Sequence, residues 1–342
     1  MTDPLNDSLS AQPHPAGLAP VDPEKPTTVR EIFYGPDGLR AGWGLLIFIA
    51  LMAACLAGVA VLSKHLHLNT PKAGSTAEIT PGFVLLGESL PFFATLFVTW
   101  IMSRIEKRPN GAYGLGGKRA IPNFLAGLAW GVACLSLLVL ILWKTGLLVI
   151  DSRLLFGGDV IRYGLIWLFG FLMVGLLEEY LTRGYLLYTL TRGISGIYAA
   201  LFETRHNKTL AFWTAALGLS TLFGLGHASN PGESPIGVLS AGLVFCFSLW
   251  RTGSLWWAIG FHTTWDWAQS FLYGVADSGM MAQHHLLATH AVGLPLMSGG
   301  TTGPEGSIFV LLVLALVSLI IIFTLPRTGY STELQPLVHP IE

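Results

Sequence analysis

The sequence predicts an all-α, polytopic membrane protein: a bundle of about eight transmembrane helices enclosing a polar cavity within the bilayer. Two features of composition and one of pattern lead there. Of 342 residues, 52% are hydrophobic and only 11% are charged, well under the ~25% charged residues of a soluble domain. Mean hydropathy is +0.59. The apolar runs are helix-length, with little strand-like alternation. A net charge of −1 offers no basic surface and excludes a nucleic-acid partner. Cys55, Cys134 and Cys246 all fall in apolar runs; their spacing suits neither a zinc site nor a disulfide framework, so they are read as packing residues.

Residues 1–40 are rich in Pro, Asp and Ser and lack apolar periodicity, which predicts a disordered tail. They do not form a secretory signal, because a long polar stretch precedes the first apolar run. Segment 28–40, with Ile32, Phe33 and Tyr34, is expected at the membrane surface. Eight candidate spans follow: 41–63, 82–103, 122–143, 161–190, 209–228, 236–250, 254–273 and 307–326. Each approaches the ~20 residues needed to cross a bilayer. Five parts are expected: the tail 1–40, accessory helices 41–160, a core 161–273, an irregular Gly-rich extracytoplasmic loop 274–306, and a last helix with its tail, 307–342.

Basic residues set the orientation. Arg104, Lys107, Arg108, Lys118 and Arg119 lie between spans two and three, Arg192, Arg205 and Lys208 after span four, and Arg251 and Arg327 after spans six and eight. Loop 274–306 contains neither Lys nor Arg. Both termini are therefore expected in the cytoplasm.

Polar groups inside hydrocarbon cost roughly 2.5–3.5 kcal/mol each and persist by pairing or by lining a wet cavity. The fourth span ends in Glu178-Glu179-Tyr180-Leu181-Thr182-Arg183. Glu179 and Arg183, at i and i+4, share a helix face and are expected to pair. Glu178 is rotated about 100° away and stays free, which makes it the first candidate for chemistry. Span five ends in Phe223…His227, and span seven carries His262 and Asp266 on one face. A carboxylate that activates water, imidazoles that move a proton, and donors for an oxyanion are what hydrolysis of a peptide bond requires.

Other polar groups receive blander readings. Glu88 and Lys144 are expected to snorkel to the interface, with a supporting role for Glu88 behind that reading. His284, His285 and His290 are expected to be solvated, and Trp256, Trp257 and Trp265 to pack. Counting at 1.5 Å per residue places His227 ~27 Å and His262 ~12 Å from the cytoplasmic ends of their spans. Both reach Glu178 only if a helix tilts, starts later or breaks near Gly218, Gly224 and Gly226.

The three clusters, EExxxR, FxxxH and HxxxD in that order, resemble the CAAX prenyl protease and bacteriocin-processing (CPBP, Abi-like) family of intramembrane proteases over roughly 175–270. The resemblance implies a helical membrane endopeptidase with its catalytic cavity inside the bilayer. Glu178 would activate water, Glu179 would orient Arg183, and His227 would serve as base, acid or metal ligand. His262 with Asp266 would hold the oxyanion or the water. Family accounts divide between a glutamate-dependent mechanism and one using a divalent metal such as Zn, which here would fall to Glu178, His227 and His262. Position 266 is Asp where eukaryotic prenyl proteases have Asn, and an ionised Asp only accepts, so a partner role toward His262 or a metal fits it better. The implied partners are a peptide or membrane-anchored protein substrate and the lipid bilayer. The topology suits a prokaryotic inner membrane, where prenylated substrates are not expected. A non-catalytic binding or immunity protein of the same fold is the alternative. A transporter fits less well, since no internal repeat or pair of discontinuous helices is visible.

Overall fold

The computed structural model describes residues 29–35, 37–65, 78–109, 111–117, 119–202, 206–227 and 235–330. The tail up to residue 28, Lys118 and Arg205 lie outside the described residues. A short helix α1 (Val29–Phe33) leads into strands β1 (Tyr34–Gly35) and β2 (Gly38–Leu39), which pair with each other. Segment 28–40 thus ends in a hairpin. Arg108 donates to the Asp37 carbonyl at 3.4 Å and Arg192 donates to the Leu39 carbonyl, which ties that hairpin to the protein.

Helix α2 (Ala41–His65) follows, then β3 (Glu78–Ile79), α3 (Pro81–Ile105) and α4 (Ala120–Lys144). Helix α3 starts where Thr80 Oγ1 accepts from the Phe83 N–H at 3.1 Å, with Pro81 at the first helical position, a place where its missing N–H costs nothing. Strand β4 (Leu148–Arg153) precedes α5 (Gly158–Glu179), a π-helical turn Tyr180–Leu186, and α6 (Leu187–Leu201). Next come α7 (Asn207–His227), α8 (Pro235–Thr252) and α9 (Trp256–Trp267), which ends in a second π turn, Ala268–Leu272. The chain closes with β5 (Met281–Ala282), β6 (Leu287–Ala291), α10 (Pro295–Ser298), a 3₁₀ turn Pro304–Gly306 and α11 (Phe309–Thr324).

This is a polytopic helical membrane bundle. Helices α2, α3, α4, the continuous run Gly158–Leu201 and α7 are long and apolar enough to cross a membrane, and α8 and α11 are shorter apolar helices. Each of the eight expected spans falls on a helix over most of its described residues. Span four differs most, because its helix continues past residue 190 to Leu201 and carries Arg192 on α6 rather than in a loop. The second difference concerns strands. Loop 274–306 is not irregular throughout: β6 pairs antiparallel with β4, and β5 pairs with β3.

Helix α4 lies flush against α9 because glycines remove side chains at the contact. A Cβ on Gly127 would meet the Trp257 carbonyl at 2.2 Å, one on Gly131 the Phe261 carbonyl at 2.3 Å, and one on Gly260 the Phe124 carbonyl at 2.3 Å. Small residues that admit close backbone approach are how membrane helices gain dispersion contact. Cys134 and Cys246 are buried and Cys55 half-buried, all as free thiols.

Candidate active site

Glu179 is wholly buried at the C-terminal end of α5. Its Oε1 accepts from Arg183 Nη1 at 2.9 Å, as the i, i+4 spacing predicts, and also lies 3.0 Å from His262 Nδ1 on α9. A carboxylate facing Nδ1 calls for the proton on that nitrogen. Nε2 is then the ring atom turned to the cavity, 3.7 Å from Glu178 Oε2 and 3.5 Å from Asp266 Oδ2. Glu179 therefore does more than pair with Arg183. It fixes the orientation of the imidazole between the other two carboxylates.

Glu178 is the more open acid of the pair, its side chain 26% exposed against 0% for Glu179. It lines a cavity of about 340 Å³ together with Arg183, His227, His262 and Asp266. His227 Nδ1 lies 2.8 Å from the Phe223 carbonyl, which places its proton on that nitrogen and leaves Nε2 toward the cavity. The Arg183 guanidinium sits over the Phe223 ring at 4.7 Å and over Phe245 at 5.6 Å. That cation–π contact sets Phe223 against Arg183 and so carries His227, one turn further on, back toward the glutamates.

The discrepancy in depth between His227 and His262 is resolved the same way. Helix α7 is unbroken at its glycines, and it packs antiparallel along α6. The chain runs from Glu178 to Leu201 and returns from Asn207 to His227 over nearly equal lengths. Helix α7 begins at the far end of α6, beyond residue 190 where the fourth span was expected to end, so counting from its first residue overstates the depth of His227.

Three charged groups of the cavity wall were not expected there. Glu88 on α3 faces the cavity instead of snorkelling outward. Its amphipathic setting, with Phe92 buried one turn on and Phe93 exposed, was the available signal. Asp277 and Glu305 come from the loop and the 3₁₀ turn, and no local pattern marks them. Burial, with Asp266 and Glu305 nearby, pushes the Asp277 carboxyl well above its ordinary range, while Ser270 Oγ donates to it at 3.0 Å.

Residues 160–268 match the family model described as Type II CAAX prenyl endopeptidase Rce1-like. The chain carries an Rce1-like domain. No curated protein and no solved structure matches the chain. The Rce1-like segment begins in the first turn of α5 and ends just past α9, so it spans Glu178, His227, His262 and Asp266. Helices α3 and α11, outside that segment, complete the cavity around it.

Among the described residues, no group of three or more His, Cys, Asp or Glu side chains is arranged to hold a metal ion. Glu178, His227 and His262 share the cavity without closing into a three-donor cage. The loop histidines are separate too: His290 pairs with Asp151 at 2.8 Å, His284 stacks on Tyr163, and His285 Nδ1 lies 2.6 Å from the Ala282 carbonyl.

Proposed function

We propose that the protein is an intramembrane endopeptidase that hydrolyses a peptide bond with a water activated by Glu178. The observation that carries this reading is the arrangement around His262. One buried carboxylate, Glu179, holds Nδ1, while a second and more open one, Glu178, faces Nε2 across the cavity. A purely structural pair needs no second acid and no cavity beside it.

In the proposed reaction Glu178 takes a proton from water as the oxygen attacks the carbonyl carbon. The new C–O bond forms while the carbonyl π electrons move to oxygen. His262, in the imidazolium form that carries a second proton on Nε2 between Glu178 and Asp266, donates from Nε2 to that oxyanion. Collapse of the intermediate breaks the C–N bond, and the proton held by Glu178 passes to the leaving amine. Positioned proton transfer of this kind contributes typically about 10²–10⁴-fold, and preorganised donors to an oxyanion about 10²–10³-fold each. Asp266, an acceptor when ionised, acts on His262 and does not itself donate to the oxyanion.

The substrate is a peptide or membrane-anchored protein. In this reading the protein sits in a prokaryotic cytoplasmic membrane, and the distribution of its basic residues supports an orientation with both termini in the cytoplasm. The test is cleavage of a quenched-fluorescent peptide library by the purified full-length protein, coupled to rescue of a deletion strain. Cleavage with defined product ends, and rescue by wild type but not by Glu178→Ala, support the protease. Rescue by Glu178→Ala would overturn it in favour of a binding or immunity role.

A further inference from the structure

The connections between helices gather on two faces. On one, Arg108 reaches the Asp37 carbonyl, the Leu255 N–H donates to the Gly114 carbonyl at 2.9 Å, and the Tyr330 N–H donates to the Trp250 carbonyl at 3.0 Å. These bonds join the N-terminal hairpin, the α3–α4 connection, the α8–α9 turn and the segment after α11. On the other face β3 pairs with β5, β4 pairs with β6, and Trp167 Nε1 donates to the Gln283 carbonyl at 2.9 Å.

Basic residues divide unequally between the faces. The first carries Arg30, Arg40, Lys107, Arg108, Arg119 and Arg327 beside the basic residues of the helix ends around it. The second has Lys64, Lys144, Arg153 and Arg162, and neither Lys nor Arg from Tyr273 to Ile308. By the positive-inside rule the first face is cytoplasmic.

Among the described residues, the cavity that holds Glu178 is lined from the second face and not from the first. Ile79, Asp277, Ser278, Met280 and Glu305 line it there, and no described residue of 106–119, 252–255 or 325–330 does. Toward the first face it is floored by the buried Arg183–Glu179 pair. Beneath that lies a second polar layer, in which Glu106 accepts from Tyr185 at 2.9 Å, Tyr113 at 3.2 Å and Arg108 at 3.2 Å. The rim is built to one shape: Ser278 has φ 48°, a conformation unusual for a non-glycine residue, and its N–H donates to Glu305 Oε1 at 2.7 Å.

From these two distributions, we infer that the peptide reaches Glu178 from the extracytoplasmic side. The substrate class is then an exported or outward-exposed segment of a membrane-associated protein, not a cytoplasmic tail. This rests on the protease reading for its chemistry, but the direction of access is measurable without any cleavage.

The experiment places single cysteines at Met280, on the exposed rim, and at Val174, deep in the cavity wall, in a Cys55→Ala background. A third, Lys107→Cys, marks the opposite face. A charged, membrane-impermeant thiol reagent is applied to sealed right-side-out and inside-out vesicles. An ion crosses hydrocarbon poorly, so Met280→Cys and Val174→Cys should both label about ten-fold or more faster in right-side-out vesicles, and Lys107→Cys in inside-out ones. Labelling of Val174→Cys from the inside-out side, or from neither side while Met280→Cys reacts, would overturn the inference. So would labelling of Met280→Cys in inside-out vesicles with Lys107→Cys reactive in right-side-out ones. Failure of the protease reading would appear instead as absent cleavage with this labelling pattern intact.

Discussion

Glu179 is predicted to be a buried charge that is tolerable only because Arg183 neutralises it, and a double-mutant cycle measures this. Glu179 is 0% exposed and Arg183 4%. Their contact is 2.9 Å, and the second oxygen of Glu179 has no hydrogen-bond partner among the described residues. Arg183→Met leaves that carboxylate with His262 alone, and Glu179→Gln leaves a buried guanidinium without its counter-charge. Breaking a buried pair from one side costs about 3–5 kcal/mol, whereas removing both charges is often close to neutral. The double variant should therefore be more stable than either single one, with a coupling of about 2 kcal/mol or more. Reversible unfolding in mixed micelles, followed by tryptophan fluorescence, reads this directly. Cleavage should stay lost in the double variant, because an amide at 179 no longer holds His262 Nδ1 as a carboxylate does. Strictly additive losses would refute the buried-pair reasoning, and recovered activity would refute the positioning role of Glu179.

Three further outcomes are expected. Gly131→Val should lower both thermal stability and activity, because even its Cβ would meet the Phe261 carbonyl at 2.3 Å and push away the helix that carries His262; unchanged activity would show that α9 is free to shift. The Asp277 carboxyl is raised in the folded protein, so the native state holds its proton to higher pH than the unfolded chain, and its contribution to stability is lost as pH rises through the folded value. Asp277→Asn should accordingly lessen the fall in melting temperature above the ordinary carboxylate range, while an identical pH profile would contradict the burial argument. Chelation should leave cleavage unchanged, since the described donors form no three-ligand group; loss of activity restored by Zn would instead place a metal at Glu178 and His262.

Much of the site was legible because charge inside hydrocarbon is conspicuous. Glu178, Glu179, Arg183, His262 and Asp266 stand out from apolar runs, and helical spacing alone pairs 179 with 183 and 262 with 266. What spacing cannot give is the partner across helices. The bond from His262 to Glu179 joins residues 83 positions apart, and nothing local announces it. Glu88 was misread because a carboxylate near a helix end has two stable solutions, interface or cavity, and only the packing of α3 on α5 selects between them. Strand β4 was missed because Leu148–Ile150 continues the apolar run of α4, and its partner β6 lies far along the chain. The extension of α6 was hidden because the chain stays helical through the π turn at Tyr180–Leu186.

The central claim is that the Glu178 carboxylate itself performs the chemistry. The most direct measurement is kcat for a mapped peptide substrate with wild type and Glu178→Gln, alongside the melting temperature of each. Gln keeps the shape and removes the basic oxygen, so the account predicts a loss of about 10²-fold or more with melting temperature essentially unchanged. Near-wild-type cleavage by folded Glu178→Gln would contradict it.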